Sequence, residues 1–190
     1  MNENQSSPSD LGQLFRLCHV IRWLLFVFLT IQIAFFILSW AMAGPVSLGP
    51  LQLHINPDGM TDNAVERLGN VQRMVGILVG APGLLALTHG IRHLSATLIA
   101  FQAGQIFAMK TIGHLRTAAG ATIAAVVLFN LETPLRNLLF GWMGDGQSYA
   151  IAMDITSHEL LLLLVCSMFY LVVGVMHEGR RLSEENEGFV

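Results

Sequence analysis

Long apolar runs broken by short polar turns dominate this chain, where a soluble helix would show a one-sided stripe and a half-buried strand would alternate. The first run, residues 23–43, reads WLLFVFLTIQIAFFILSWAMA. It supplies the roughly 20 residues that cross a ~30 Å hydrocarbon layer at about 1.5 Å per residue. Arg16 and Arg22 precede it as in a secretory signal, but its apolar core exceeds the ~7–15 residues of a signal peptide's hydrophobic region. An uncleaved span over about 20–43 is therefore expected. The next apolar block gives a second span over about 74–94, in which Pro82 can kink the helix and Gly76 and Gly80 form a small-residue face for close packing. A third run, TAAGATIAAVVLFNL, is too short to cross alone. It reaches span length only by continuing through ETPLRNLLF, which sets the third span at about 115–140. The fourth, leucine-rich, covers about 152–177.

The connections differ in character. Residues 44–73 open with GPVSLGPLQLHINPDG, whose three prolines, three glycines and alternating LQLHI predict an extended or hairpin-like outer loop. Residues 95–114 include ATLIAFQAGQIFAMK, apolar at its ends but interrupted by Gln102, Gly104 and Gln105. Leu94, Leu98, Phe101 and Ile106 fall roughly on one helical face, so this segment is expected to lie as an amphipathic helix at the membrane interface. The fold class that follows is an all-α membrane protein: one domain over residues 1–190, a four-helix transmembrane bundle with that interfacial helix between spans two and three, and a tail at 178–190.

Composition agrees with this pattern. Hydrophobic residues make up 53% and charged residues 12%, against roughly 45–50% and 25% in soluble domains, and the mean hydropathy is +0.58. Ten basic and thirteen acidic residues are too few to cover a soluble surface. A net charge of −3 gives no reason to expect direct nucleic-acid binding. Cys18 and Cys166 both lie in apolar helical stretches and read as small buried hydrophobes.

Basic residues set the orientation. With the N-terminus in the cytoplasm, Arg16, Arg22, Arg92, Lys110, Arg116, Arg180 and Arg181 all lie inside, and only Arg67, Arg73 and Arg136 lie outside. Four spans with both termini cytoplasmic follow. Arg180 and Arg181 then hold the exit of the last span, and Glu184, Glu185 and Glu187 stay solvated.

Candidate chemistry is sparse. Seven histidines raise haem ligation across a bundle, but His19, His89, His93, His114 and His177 fall near one interface and His54 and His158 near the other, so no cofactor is expected. Asp154 and His158 stand four residues apart, which places carboxylate and imidazole side by side as half of a divalent-metal site. A solvated helix start with Asp154 at its positive end is the plainer account. Glu132 and Arg136 have the spacing of an ordinary i, i+4 ion pair around Pro134. The glycines of GILVGAPG lack the lysine of a phosphate loop and follow no strand. No nucleophile triad or metalloprotease helix is present, and the chain is read as no enzyme.

Two stretches resemble the small bacterial integral membrane proteins of the family called domain of unknown function 2975. In FQAGQIFAMKTIGHLRTAAG the likeness rests on Gly104, Ile106, Phe107, Leu115, Arg116 and Gly120; in EGRRLSEENEGFV it rests on Glu178, Gly179, Leu182, Glu185 and Asn186. The family's connecting segment usually carries more arginine than the nearly neutral SATLIAFQAG. The resemblance implies a protein of the bacterial cytoplasmic membrane. It also implies a membrane partner for a small helix-turn-helix regulator, held at the cytoplasmic face by Gly104, Ile106, Phe107, Leu115, Arg116 and the closing motif. The competing expectation, from the residues alone, is a small transporter or ligand-sensing bundle with its site between helices around Pro82, Gly83 and Thr88. Membrane lipids are partners under either reading, and Gly76 and Gly80 offer a face for a second copy of the chain.

Overall fold

The computed structural model describes residues 8–42, 46–48, 51–53, 56–57, 60–105, 108–143 and 157–187. Helix α1 runs Pro8–Ala41. A two-stranded antiparallel hairpin follows, β1 Val46–Leu48 and β2 Leu51–Leu53, with Ser47 opposite Gln52. The short α2, Asp62–Glu66, leads into α3, Asn70–Gln102; α4 covers Met109–Trp142 and α5 covers Ser157–Glu187. Three of these helices, over Arg16–Ala41, Asn70–Gln102 and Met109–Trp142, are long and apolar enough to cross a membrane; the apolar stretch of α5, Leu160–Met176, is shorter. Most side chains on α1 and α5 are exposed and large, among them Trp23, Phe26, Ile31, Leu161, Phe169 and Val172. Water would not tolerate apolar faces of that size on a monomer, whereas lipid solvates them.

The polar residues within these helices are compatible with such a solvent. The hydroxyls of Thr30, Thr88, Thr97, Thr122 and Ser167 each donate to the carbonyl four residues earlier in the same helix, at 2.7–3.0 Å. Asn130 does the same through its amide, 2.9 Å from the Val126 oxygen. Hydrogen bonds made within the helix satisfy these side chains without water.

Two expectations need correction. First, the described residues of 95–114 belong to α3, α4 and the turn between them and form no separate interfacial helix. Residues 95–102 are the last turns of α3, and α4 begins at Met109. Ser95, Thr97 and Leu98 of α3 and Thr111 and Ile112 of α4 are buried. The break is a Schellman ending: Gly104 takes φ +73°, its N–H donates to the Phe101 carbonyl at 3.1 Å, and the Gln105 N–H donates to the Ala100 carbonyl at 2.9 Å. Glycine reaches this left-handed conformation without a Cβ penalty. The Thr111 hydroxyl then donates to the Gln105 carbonyl at 2.8 Å, tying the turn to α4.

Second, the long helices do not close into a bundle. α1 packs on α3, α3 on α4 and α4 on α5, while α1 and α5 share no backbone contact among the described residues. Lipid is as good a surrounding for leucine as a neighbouring helix, so closure brings little hydrophobic gain. α4 passes through Pro134 without interruption, and α3 through Pro82.

At the end where α1 finishes, a small core of Trp40, Val65, Leu68 and Phe140 joins α1, α2, the α2–α3 link and α4, with Val75 of α3 packed against it. Arg73 organises its edge, donating to the carbonyls of Trp40 at 3.0 Å and Val65 at 3.2 Å. A cation on the last carbonyls of α1 opposes the negative end of that helix. The Gln72 side chain accepts from the Gly69 N–H at 2.8 Å and so satisfies one donor at the start of α3.

Candidate functional site

Glycines on one face of α3 shape the junction of α1, α3 and α4. Gly76 is covered by the Trp40 ring; a Cβ on Gly80 would stand 2.6 Å from the Phe36 ring, and one on Gly83 would stand 2.9 Å from the Phe129 ring. The small-residue face expected to receive a second copy is thus occupied by α1 and α4 of the same chain. Where the aromatic side chains lean over these glycines, a cavity of about 190 Å³ opens, with Gln32, Ser39, Trp40, Asn56, Phe129 and Glu132 in its wall.

Glu132 brings charge to this cavity. Its Oε1 accepts from Arg136 Nη1 at 3.2 Å, with the arginine side chain 0% and the glutamate 12% exposed. The guanidinium carbon lies 5.8 Å from the centre of the Trp40 ring, close enough for a cation–π contact. An arginine sealed inside a protein needs a counter-charge, because desolvation penalises a lone ion by several kcal/mol. Glu132 supplies that charge one helical turn away. The pair lies on α4, one of the helices long and apolar enough to cross a membrane, where ionisable residues are costly. The cavity therefore has a carboxylate, two amides and a hydroxyl set among aromatic walls. It is smaller than the ~300–1,000 Å³ of drug-sized sites, so it suits a molecule of about amino-acid size.

A second polar cluster lies toward the other end of the α3–α4 pair. His93 Nδ1 and His114 Nδ1 are 2.9 Å apart, one donating and the other accepting, so the two imidazoles hold a single proton between these atoms. The His89 ring stacks at a tilt on His93, centroids 4.6 Å apart. Gly90 permits the approach, since a Cβ there would stand only 3.3 Å from the Ala118 carbonyl oxygen of α4. Among the described residues no three His, Cys, Asp or Glu side chains gather as a metal site. Asp154 lies outside the described residues, and His158 stands in the first turn of α5.

The residues of the two resemblance motifs are spread along one end of the array. Gly104 terminates α3, and Ile106 and Phe107 lie outside the described residues. Leu115 faces a mostly apolar cavity of about 200 Å³ shared with Cys166 and Phe169 of α5. Arg116 is exposed; its Nε donates to the Tyr170 hydroxyl at 3.3 Å, and its guanidinium lies 5.7 Å from the centre of that ring. Glu178 and Gly179 are exposed on α5, and Leu182, Glu185 and Asn186 belong to the same helix. No protein-family model matches the chain. No curated protein and no solved structure matches it either. The likeness to the domain of unknown function 2975 family accordingly rests on the two motifs alone.

Sequence reasoning placed the transport or sensing site around Pro82, Gly83 and Thr88, the stretch of α3 that contains Leu84 of the observed cavity wall. It missed Gln32, Ser39 and Trp40, which come from α1 and carry no local signal. The histidine pair was legible in principle. With the turn at Gly104, His93 stands eleven residues before it and His114 ten after, so an antiparallel helical hairpin brings them level.

Proposed function

We propose that the chain is a non-enzymatic, four-span protein of the bacterial inner membrane, both termini cytoplasmic, and that it works as a small ligand-sensing or transport assembly. α5 is its fourth span. The observation that carries this reading is the cavity at the α1–α3–α4 junction, lined by Glu132 against the sealed Arg136. Such a pair between spanning helices is expensive, and a cavity beside it gives the expense a use. The ligand is a small polar molecule that hydrogen-bonds to Gln32, Asn56 and Glu132 and packs on Trp40 and Phe129. Thermal unfolding of the purified protein in detergent, across free amino acids and short amines, tests it. One chemical class is expected to raise the melting temperature of the wild type and to lose that effect in Gln32→Leu, which removes a lining amide and leaves the ion pair in place. A panel in which nothing shifts the wild type removes the reading.

A second reading draws on the other face. The Arg116–Tyr170 contact holds α4 and α5 together near the end where Glu178 and Gly179 are exposed, and in the proposed topology this end is cytoplasmic. A small helix-turn-helix regulator would dock there, its basic DNA-reading surface drawn to the acidic tail. Deleting residues 183–190 is expected to move that regulator from the membrane to the soluble fraction. Unchanged membrane retention of whatever co-purifies with the full chain would show that the tail holds no partner.

A further inference from the structure

The α3–α4 turn carries a cationic groove with no role in the ligand cavity. Ala96, Ile99 and Ala100 form one wall on α3, and Lys110, Thr111 and His114 form the other on α4; its volume is about 280 Å³. The spacing of the wall residues puts each set on one helical face. No acidic side chain lines it, and the sequence holds no aspartate or glutamate at all between Glu66 and Glu132. Arg92, Lys110 and Arg116 of this hairpin end therefore have no carboxylate on their own two helices near the turn, and Lys110 makes no ion pair among the described residues. Lys110 also sits in the first turn of α4, where the helix dipole adds to its positive field.

Depth in the membrane points the same way. Arg73 at the opposite end and His93 are twenty residues apart on α3, about 30 Å along a helix, which is one hydrocarbon thickness. With Arg73 at one interface, His93 and His114 stand at the other. The groove, one to two turns further on, then lies at the level of the lipid headgroups.

We propose that this groove binds an anionic phospholipid, its phosphate held by Lys110 and His114 and the glycerol and first methylenes lying on Ala96, Ile99 and Ala100. A cationic wall facing an apolar one complements an amphiphile whose charged and greasy parts adjoin, and basic pockets between spanning helices bind such headgroups. The His93–His114 contact holds the His114 ring in place. The inference rests on the reading that these helices span a membrane.

The test uses the full chain in detergent, titrated with phosphatidylglycerol or with phosphatidylcholine of the same acyl chains. Native mass spectrometry reads the retained lipid, and thermal unfolding reads the stabilisation. Retention of phosphatidylglycerol and not phosphatidylcholine is expected, weakened about fivefold in Lys110→Gln and unchanged in Arg67→Gln at the other end. Filling the groove with Ala100→Phe, charge intact, should also abolish retention. Equal retention of the two lipids, or equal loss in Arg67→Gln and Lys110→Gln, would overturn the proposal. So would displacement of the lipid by inorganic phosphate that alone gives the same thermal shift, since the site would then be one for the free ion. Failure of the chain to enter lipid nanodiscs would instead count against the membrane reading itself.

Discussion

Replacing Glu132 by alanine is expected to cost about 3–5 kcal/mol of stability, the usual penalty for stripping the partner from a buried charge. Arg136 is completely enclosed, and Glu132 Oε1 at 3.2 Å is its counter-charge. Without that carboxylate the guanidinium keeps its other contacts, among them the Trp40 ring 5.8 Å away, but a ring quadrupole contributes only about 0.5–2 kcal/mol and does not replace a full counter-charge. An arginine cannot shed its proton to escape the penalty. The remaining routes are to draw water into the junction or to pull α4 away from α1 and α3, and both loosen the core of Trp40, Val65, Leu68 and Phe140. Unfolding by a rising mole fraction of sodium dodecyl sulfate, followed by circular dichroism, measures the loss. The double variant Glu132→Leu/Arg136→Met should recover most of it, because apolar side chains of similar volume replace a buried pair at little or no cost. If Glu132→Ala unfolds at the wild-type midpoint, the pair is solvated and its assignment as a low-dielectric ion pair fails.

Gly76→Ala should destabilise as well, although alanine is the better helix former by about 0.5–1 kcal/mol. The added Cβ would collide with the Cη2, Cζ3 and Cζ2 edge of the Trp40 ring. That ring is 3% exposed and packs into the core between α1 and α3. It has nowhere to retreat without opening the helix pair, and overpacking of this kind costs about 1–3 kcal/mol. Gly113→Ala is the internal control, since nothing lies within 4 Å of a Cβ there. It is expected to gain about 0.5–1 kcal/mol from helix propensity. The two substitutions should therefore move the unfolding midpoint in opposite directions. A stabilised Gly76→Ala would mean that α1 does not rest on α3 through this glycine.

These contrasts show which physics is local. Crossing helices were legible because twenty apolar residues in a row have one favourable solvent: the run at 23–43 lies in α1 up to Ala41, and the run at 74–94 lies within α3. The i, i+4 spacing of Glu132 and Arg136 was enough to expect an ion pair, since one helical turn fixes their distance. Gly104 was visible as an interruption, but its consequence was misjudged. A glycine can end one helix as readily as sit inside an interfacial one, and Ala96 to Phe101 contain nothing that stops α3 earlier. Pro134 was read through: the third span was set at about 115–140, and α4 does continue past the proline. Proline removes one backbone donor, yet the helix continues because lipid offers the freed carbonyl no better partner and the surrounding turns hold.

The sequence by itself determined that this chain is built of long apolar helices and which residues carry charge, because both depend on solvent preference and on contacts within one or two turns. Only the tertiary structure decided that Gly76 and Gly80 serve α1, that Arg136 is sealed, that a cavity opens beside Glu132, and that His93 meets His114. Each depends on how two or three helices sit against one another. The depth and rotation of that packing are set by the sum of many weak side-chain contacts, which no short stretch of sequence contains.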